Sequence, residues 1–306
     1  MFNINHTQAG GRLTRFLGAF IFFVLVGGNW NPHALAQTPP KALEIGIMPY
    51  LSPHALLVTY EPMRAYLAKQ LGRNVEIYTA PDFKTFTENT LRGEYDLIIA
   101  ASHLVRLAQK EAGYTPQLGY GYQGSGNLTS LLVVQKNSEI RSLQELRGKW
   151  VVIPDRMAIV TIGGLEWLKK QGIRPQVDFR LLQTVSHNTA LLTVQRGEAS
   201  AAITASGVLK QVPDELRNSV KTLALISELR GLIFATGPHL TETSKNAVKA
   251  ALLQFAQEST EGKAFLKSTG FNSLLPVSES EMKLLDPYLL ETKRLLREMP
   301  IDVAAR

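Results

Sequence analysis

Polar and aromatic side chains follow several predicted strands of this sequence, each close to the start of a predicted helix. These residues are Tyr50, Ser52, Ser102, His103, Asp155 and Arg156. The N-terminus of a helix presents unpaired backbone N–H groups and a partial positive charge, so it can bind an oxyanion with few charged side chains. We therefore expect a binding site for a small anion where these strands end.

The same positions also have a structural interpretation. Ser52, Ser102 and Asp155 could act only as caps for the helices that follow them, and the sequence leaves both roles open. The residue type at His103 favours a role in ligand contact. A helix cap does not need an imidazole, whereas a ligand could accept a hydrogen bond from the imidazole N–H.

A second set of candidate donors lies further along the chain. Ser186-His187-Asn188-Thr189 precedes a predicted helix and offers hydroxyl, imidazole and amide groups. His187 fits a cleft and a structural role equally well. Tyr122 lies in the glycine-rich segment 119–126, where it could line the hinge side of a cleft or pack within a surface loop.

The sequence lacks the residue patterns typical of an enzyme. It has no Gly-x-Ser-x-Gly elbow, phosphate-binding loop or dinucleotide fingerprint. None of its histidines are paired at the i, i+4 spacing of a zinc-binding helix. Cysteine is absent, which excludes a thiol nucleophile, a thiolate metal site and a disulfide framework. We expect a non-enzymatic protein without a metal ion or cofactor.

The N-terminal residues have the pattern of a secretory signal peptide. Arg12 and Arg15 precede the apolar run 16–28, and Ala34-Leu35-Ala36 forms a small-x-small cleavage site. The apolar run is well short of the ~20 residues that span a bilayer, which argues against a membrane anchor. We expect cleavage after Ala36 and a periplasmic mature protein of residues 37–306.

Charge and length limit the classes of partner. The formal net charge of +7 falls when Arg12 and Arg15 are removed, and the remaining Lys and Arg are scattered among acidic residues. This pattern makes nucleic-acid binding unexpected, while the mild positive bias favours anionic solutes. We expect a monomer.

Apolar periodicity predicts the elements that position these side chains. A strand at 43–48 is followed by a helix whose apolar residues recur at three- and four-residue spacing and which Gly72 ends. Strands and helices alternate in this way twice along the chain. The alternation predicts an α/β fold with two lobes, each a mainly parallel sheet flanked by helices.

The expected domain boundaries follow from this order of elements. Residues 41–130 form the N-terminal part of lobe 1, residues 131–228 form lobe 2, and residues 229–306 complete lobe 1 and add C-terminal helices. Because ligands bind outside the carboxyl ends of strands in such sheets, we expect a ligand cleft between the lobes.

The chain resembles the PhnD-like family of phosphonate-binding periplasmic components of ABC transporters. The resemblance is carried, in order, by Ile45-Gly-Ile-Met-Pro49, Tyr60-Glu-Pro-Met63, Ala80-Pro-Asp-Phe83, Gly93-Glu-Tyr-Asp96, Ser102-His103, Asn137-Ser138 and Ser186-His187. It implies a two-lobed periplasmic-binding fold of type II that closes by hinge bending. It also implies a membrane permease as partner and a phosphonate- or phosphate-like ligand.

One stretch departs from this family. The resemblance implies that family members which bind phosphonates have a Ser-Thr-Ser-Gly cluster at the start of the first helix of lobe 2. At the corresponding positions this chain has Arg156-Met157-Ala158-Ile159. Thr161 is the nearest remaining hydroxyl, and Asn188 stands where an acidic residue would hold an ammonium group. Loss of these hydroxyls predicts much weaker phosphonate binding unless Arg156 compensates.

Two functions fit these observations. The first is a transport protein that delivers a small anion to an ABC-type permease. The second is a sensory protein of the same fold that docks on a membrane histidine kinase. In either case we expect His103→Ala and Arg156→Ala to weaken ligand binding with little effect on the stability of the empty protein.

Overall fold

The strands of the protein form two sheets. A computed structural model describes residues 41–121 and 127–298. The strands are β1 (Leu43–Ile47), β2 (Val75–Tyr78), β3 (Leu97–Ala101), β4 (Thr115–Gly121), β5 (Asn127–Gln135), β6 (Trp150–Ile153), β7 (Arg180–Gln183), β8 (Ala201–Ala205), β9 (Val220–Arg230), β10 (Leu232–Thr236) and β11 (Ser273–Pro276). Sheet 1 has the order β11-β4-β10-β3-β1-β2, and sheet 2 has the order β7-β6-β8-β5-β9.

Helices connect and flank these strands. They are α1 (Pro53–Leu71), α2 (Phe83–Leu91), α3 (Ser102–Ala112), α4 (Ile159–Lys170), α5 (His187–Gln195), α6 (Ser206–Gln211), α7 (Asp214–Asn218), α8 (Glu242–Gln257), α9 (Thr260–Thr269), α10 (Glu279–Lys283) and α11 (Asp286–Glu298), with a short 3-10 helix at Leu143–Leu146. Lobe 1 consists of sheet 1 with α1–α3 and α8–α11, and lobe 2 consists of sheet 2 with α4–α7. No helix within the described ranges has both the length and the apolar character needed to cross a membrane.

Local sequence explains why α1 forms where it does. Ser52 accepts a hydrogen bond from the backbone N–H of Ala55 and so caps the helix. Its apolar face is buried at Leu56, Tyr60, Met63 and Leu67, with Tyr60 and Leu67 fully inaccessible to solvent, while Leu71 at its end is partly exposed. Gly72 ends the helix at φ 60°, a left-handed conformation that glycine adopts without steric cost.

The predicted two-lobed α/β fold is confirmed, but both sheets are mixed and not mainly parallel. β1 pairs in parallel with β2 and β3, while β10 pairs antiparallel with both β3 and β4. In sheet 2, β6 is parallel to β7 and β8, while β5 is antiparallel to β8 and β9. The antiparallel pairs involve strands that carry the chain between lobes or close the edge of sheet 1. Apolar periodicity predicts where such strands occur, but it does not predict whether they pair in parallel or antiparallel.

The chain passes between the sheets at two places. It leaves sheet 1 after Gly121 and enters sheet 2 at β5, and it returns to sheet 1 through Gly231, which joins β9 to β10. Tyr122, predicted either to line the hinge side of the cleft or to pack within a surface loop, lies in segment 122–126, outside the described residues. The strands that flank these crossings are neighbours in each sheet: Gly119 of β4 pairs with Ile233 of β10, and Asn127 of β5 pairs with Arg230 of β9.

Candidate ligand site between the lobes

A cavity lies between the two lobes, at the ends of their strands and the starts of their helices. Its volume is about 40 Å³. Its lining residues come from both lobes: Met48, Tyr50, Phe83, Ala101, Leu128, Ala158, Ile159, Val160, His187, Ala205, Gly207, Val208, Gln211, Gly231, Leu232 and Phe271. Both lobes therefore contribute to this site, as in a cleft that closes on a small ligand.

Tyr50 lies at the wall of the cavity and connects the two lobes. It follows β1, and only 4% of its surface is exposed. Its hydroxyl lies 3.0 Å from that of Tyr60 and donates a hydrogen bond of 3.2 Å to Oε1 of Gln211, which ends α6 in lobe 2. A ligand in the cavity would meet a tyrosine hydroxyl held in place from both sides.

His103 connects the lobes directly. It is fully buried in the first turn of α3, and its Nε2 lies 2.8 Å from the carbonyl oxygen of Met157, which precedes α4. Because that carbonyl can only accept, Nε2 donates, and Nδ1 is then left buried without a partner. Burial lowers the pKa of His103 to about 4, so its imidazole is neutral near pH 7.

Asp155 also joins lobe 2 to lobe 1. Its Oδ1 accepts a hydrogen bond of 2.7 Å from the backbone N–H of Met157, and its carboxyl also accepts from the backbone N–H of Phe83 at the start of α2. Only 1% of its surface is exposed, and this burial, reinforced by the nearby Asp82 carboxylate, raises the pKa of Asp155 to about 7. The carboxyl thus occupies the N-terminus of a helix from the other lobe.

Lobe 2 supplies the other predicted polar groups. His187, at the start of α5, lines the cavity, and its Nδ1 lies 3.0 Å from Oγ1 of Thr204 on β8. Burial lowers the pKa of His187 to about 4. Thr161 Oγ1 and Asn188 Oδ1 are buried without a hydrogen-bond partner, the first in the opening turn of α4 and the second in that of α5. Such unsatisfied groups are uncommon and often indicate a place where a ligand or water bonds.

Ser52, Arg156 and Ser102 are among the predicted residues that do not line the cavity, each for a different reason. Ser52 is exposed and caps α1, which matches the capping role left open by the sequence. Arg156 is exposed and faces a separate groove between α4 and α11, where it lies near Glu291. Ser102 is fully buried at the start of α3. Of the predicted positions within the described ranges, Tyr50 and His187 are the two that line the cavity.

Several residues that form the wall were not predicted from the sequence as site residues. Gln211 lies at the end of a six-residue helix, and its amide donates to the carbonyl oxygens of Gly207 and Thr269, the latter in lobe 1. Phe271 stacks on Tyr120 with ring centroids 3.7 Å apart. No local motif distinguishes such residues, because their role depends on contacts between distant parts of the chain.

The charge of the cavity wall is low. Among the described residues, no Lys or Arg lines the cavity. The described ranges also contain no cluster of three or more His, Asp or Glu that could hold a metal ion. The polar groups of the wall are a phenol, an imidazole, an amide and the backbone at the start of α4. Any anion bound here would be held by neutral donors and helix N-termini.

Comparisons with known proteins agree with this architecture. Residues 45–282 match the family described as ABC transporter, phosphonate, periplasmic substrate-binding protein. The chain is similar in structure to a binding protein component of an ABC phosphonate transporter from Pseudomonas aeruginosa, with a TM-score of 0.71, 17% identity, and coverage of 86% of this chain and 91% of that one.

Two further solved structures share the fold. PhnD1 from Prochlorococcus marinus, in complex with methylphosphonate, gives a TM-score of 0.70 at 15% identity, with coverage of 85% of this chain and 100% of that one. The alkanesulfonate-binding protein from Xanthomonas axonopodis pv. citri, bound to MOPS, gives 0.58 at 17% identity, with coverage of 86% and 96%. At these identities the likeness shows the fold.

Two mixed α/β sheets, joined by two crossings and enclosing a cavity, define a type II periplasmic-binding fold. This chain belongs to the phosphonate-binding family of periplasmic substrate-binding proteins of ABC transporters. The predicted family is therefore confirmed. The members of this family are transport components and not enzymes, which agrees with the missing catalytic patterns.

Proposed function

We propose that this protein is an extracytoplasmic solute-binding protein that closes on a small anionic ligand and delivers it to an ABC-type permease. The observation that carries the proposal is the cavity between the lobes, whose wall combines Tyr50 and Phe83 of lobe 1 with His187 and the start of α4 of lobe 2. A ligand there would touch both lobes at once and so would stabilise their closed arrangement.

The site residues divide into two groups in this proposal. Tyr50 and His187 contact the ligand, because both line the cavity. His103 and Asp155 hold the lobes together, because each bonds to backbone of the opposite lobe. Lobe closure and ligand contact would then depend on different side chains.

The chemical class of the ligand is also part of the proposal. The chain's family and the methylphosphonate bound to PhnD1 make phosphonates the first class to test. The first turn of α4 offers backbone N–H groups, and Thr161 offers an unpartnered hydroxyl. The apolar side chains of Ala158 and Ile159 lie where the resemblance places hydroxyl donors, which predicts weaker binding of phosphate and phosphonates here than in the phosphonate binders of the family.

Export is the last part of the proposal. We infer that residues 1–36 direct secretion and are removed after Ala36, and that the mature protein acts as a monomer in the periplasm. N-terminal sequencing of the protein recovered from the periplasmic fraction would test the cleavage, and recovery of the uncleaved chain in the membrane fraction would contradict it.

The decisive experiment is a thermal-shift screen of residues 37–306 against a library of small metabolites that includes phosphonates, sulfonates and carboxylates. A ligand at a hundredfold its dissociation constant should stabilise the protein by about 2.7 kcal/mol and raise its melting temperature by a few degrees. Cells lacking the gene should then lose uptake of the same compound. A library without a hit would contradict solute binding, and a hit whose uptake is unchanged would favour the kinase-docking sensor.

A further inference from the structure

We propose that Thr204 is a positioning residue, which holds the imidazole of His187 in the tautomer that presents Nε2–H to the cavity as a hydrogen-bond donor. The use of this donor in ligand recognition rests on the proposed function, because His187 belongs to the wall of the same site. The inference adds the direction of the hydrogen bond, and that direction decides which kind of ligand atom can lie beside His187.

The hydroxyl of Thr204 has one acceptor for its hydrogen. Thr204 lies on β8 and is fully buried. Its Oγ1 lies 3.0 Å from Nδ1 of His187, and no other described residue forms a hydrogen bond with this hydroxyl. A buried O–H group without an acceptor loses its hydrogen bond to water without replacement, whereas an oxygen that only lacks a second donor is better tolerated. The hydroxyl therefore donates to Nδ1.

The ring of His187 then carries its proton on Nε2. Burial lowers the pKa of His187 to about 4, so the ring is neutral near pH 7 and holds one proton on its two nitrogens. Because Nδ1 accepts the hydrogen of Thr204, that proton lies on Nε2. The hydrogen bond at one ring nitrogen thus sets the chemistry of the other.

Nε2 of His187 meets the cavity. Among the described residues no group forms a hydrogen bond with this atom, and it is not fully buried. In this it differs from Nδ1 of His103, which is buried without a partner. Since the cavity is the open space that His187 lines, Nε2–H is directed to a place that a ligand can occupy.

The hydrogens of the other two polar side chains in the described wall are used within the protein. Tyr50 donates its hydroxyl hydrogen to Oε1 of Gln211. The amide of Gln211 donates to the carbonyl oxygens of Gly207 and Thr269. His187 is therefore the described side chain of the wall whose donor remains for a ligand. A ligand atom beside it must accept a hydrogen bond, as an oxyanion or a carbonyl oxygen does.

Long-range ¹H–¹⁵N NMR spectra of ligand-free protein, residues 37–306 labelled with ¹⁵N-histidine, test the tautomer at pH 7. The signals of His187 are those that His187→Gln removes. We expect Nδ1 at the chemical shift of an unprotonated ring nitrogen and Nε2 at that of a protonated one. A proton on Nδ1, or two protonated nitrogens at this pH, would overturn the assignment.

Substitutions at Thr204 test its positioning role. Thr204→Val removes the hydroxyl but keeps the shape of the side chain, so it should move both nitrogen shifts of His187 towards a mixture of tautomers. Thr204→Ser retains the hydroxyl and should keep the natural shifts. Thr193→Val is the matched control, because Thr193 lies on the same helix as His187 but donates to the carbonyl oxygen of Thr189.

Natural shifts in Thr204→Val, or equal displacements in the Val and Ser variants, would contradict the role of the hydroxyl. An equal displacement in Thr193→Val would contradict it too, because a general disturbance of α5 would then explain the change. The spectra need no ligand, so their failure leaves solute binding standing. A metabolite screen without a hit would in turn leave the tautomer of His187 as the spectra show it.

Discussion

The imidazole of His103 in lobe 1 donates a hydrogen bond of 2.8 Å to the carbonyl oxygen of Met157 in lobe 2. The two groups are fully buried and belong to residues 54 positions apart in the chain. The bond therefore connects α3 to the segment that leads into α4, and it gives His103 a role in holding the lobes together.

His103→Ala should lower the free energy of unfolding by about 1–3 kcal/mol, because it leaves the Met157 carbonyl buried without its donor. This differs from the expectation drawn from the sequence, which treated His103 as a ligand contact with little effect on stability. Urea unfolding of the ligand-free protein measures the change. His54→Ala is the control, since His54 is exposed on α1. Equal stabilities of the His103 variant and the control would argue against the closing role.

Stability should depend on pH through Asp155. Its pKa is raised from an ordinary value of 3.8 to about 7, so the folded protein holds this proton more tightly than the unfolded chain does. The contribution is complete below about pH 4 and is lost as the pH rises towards 7. Asp155→Asn should therefore be more stable than the natural protein at pH 8, by a difference on the order of 4 kcal/mol at most, and close to it at pH 4. Urea midpoints at the two pH values would show this, and a constant difference would contradict it.

His187 should produce the opposite dependence. Burial lowers its pKa from 6.5 to about 4, so the unfolded chain binds this proton more tightly than the folded protein does. Its contribution is complete above about pH 6.5 and is lost as the pH falls towards 4. His187→Gln should reduce the loss of stability between pH 7 and pH 4.5. A variant that loses as much stability on acidification as the natural protein would show that another group is responsible.

The hydrogen bond between Tyr50 and Gln211 should couple the two residues energetically. Tyr50→Phe keeps the ring but removes the hydroxyl that donates to Gln211 and contacts Tyr60. We expect a loss of about 0.5–1.5 kcal/mol in stability and a loss of up to about tenfold in ligand affinity. A double-mutant cycle with Gln211→Leu should show a coupling free energy of at least about 0.5 kcal/mol. Additive effects would mean that the contact contributes little.

The sequence predicted the elements well because their signals are local. The buried strand β3 and the amphipathic spacing of α1 are visible in short windows of residues. The possible capping role of Ser52 was likewise recognisable from residue type and position.

The wall of the cavity could not be predicted in the same way. Tyr50 and Gln211 are 161 positions apart, and no local pattern brings them together. The contact of Asp155 with the backbone of Phe83 arises only once the lobes meet. The family resemblance supplied the fold, while the chemistry of the wall depends on side chains that replace the family's hydroxyls.

Arg156 shows that a position after a strand does not by itself predict the direction in which a side chain points. Asp155 is buried against lobe 1, while the next side chain, that of Arg156, is exposed and faces α11. Residues 155–158 form a turn closed by a hydrogen bond from the backbone N–H of Ala158 to the carbonyl oxygen of Asp155, so the two neighbouring side chains leave the backbone in different directions.

Arg156→Ala should therefore leave ligand affinity unchanged within about twofold, contrary to the expectation from the sequence. Glu291, which lines the same groove, is paired mainly with Arg294, and this pairing is the main cause of the lowered pKa of Glu291. Loss of Arg156 should then change stability by no more than about 0.5 kcal/mol. Titration of the variant with the ligand found in the screen measures the affinity and urea unfolding measures the stability, with Tyr50→Phe as the positive control for weakened binding. A tenfold loss of affinity in Arg156→Ala, with stability retained, would instead place the guanidinium at the ligand and would restore a charged anion site.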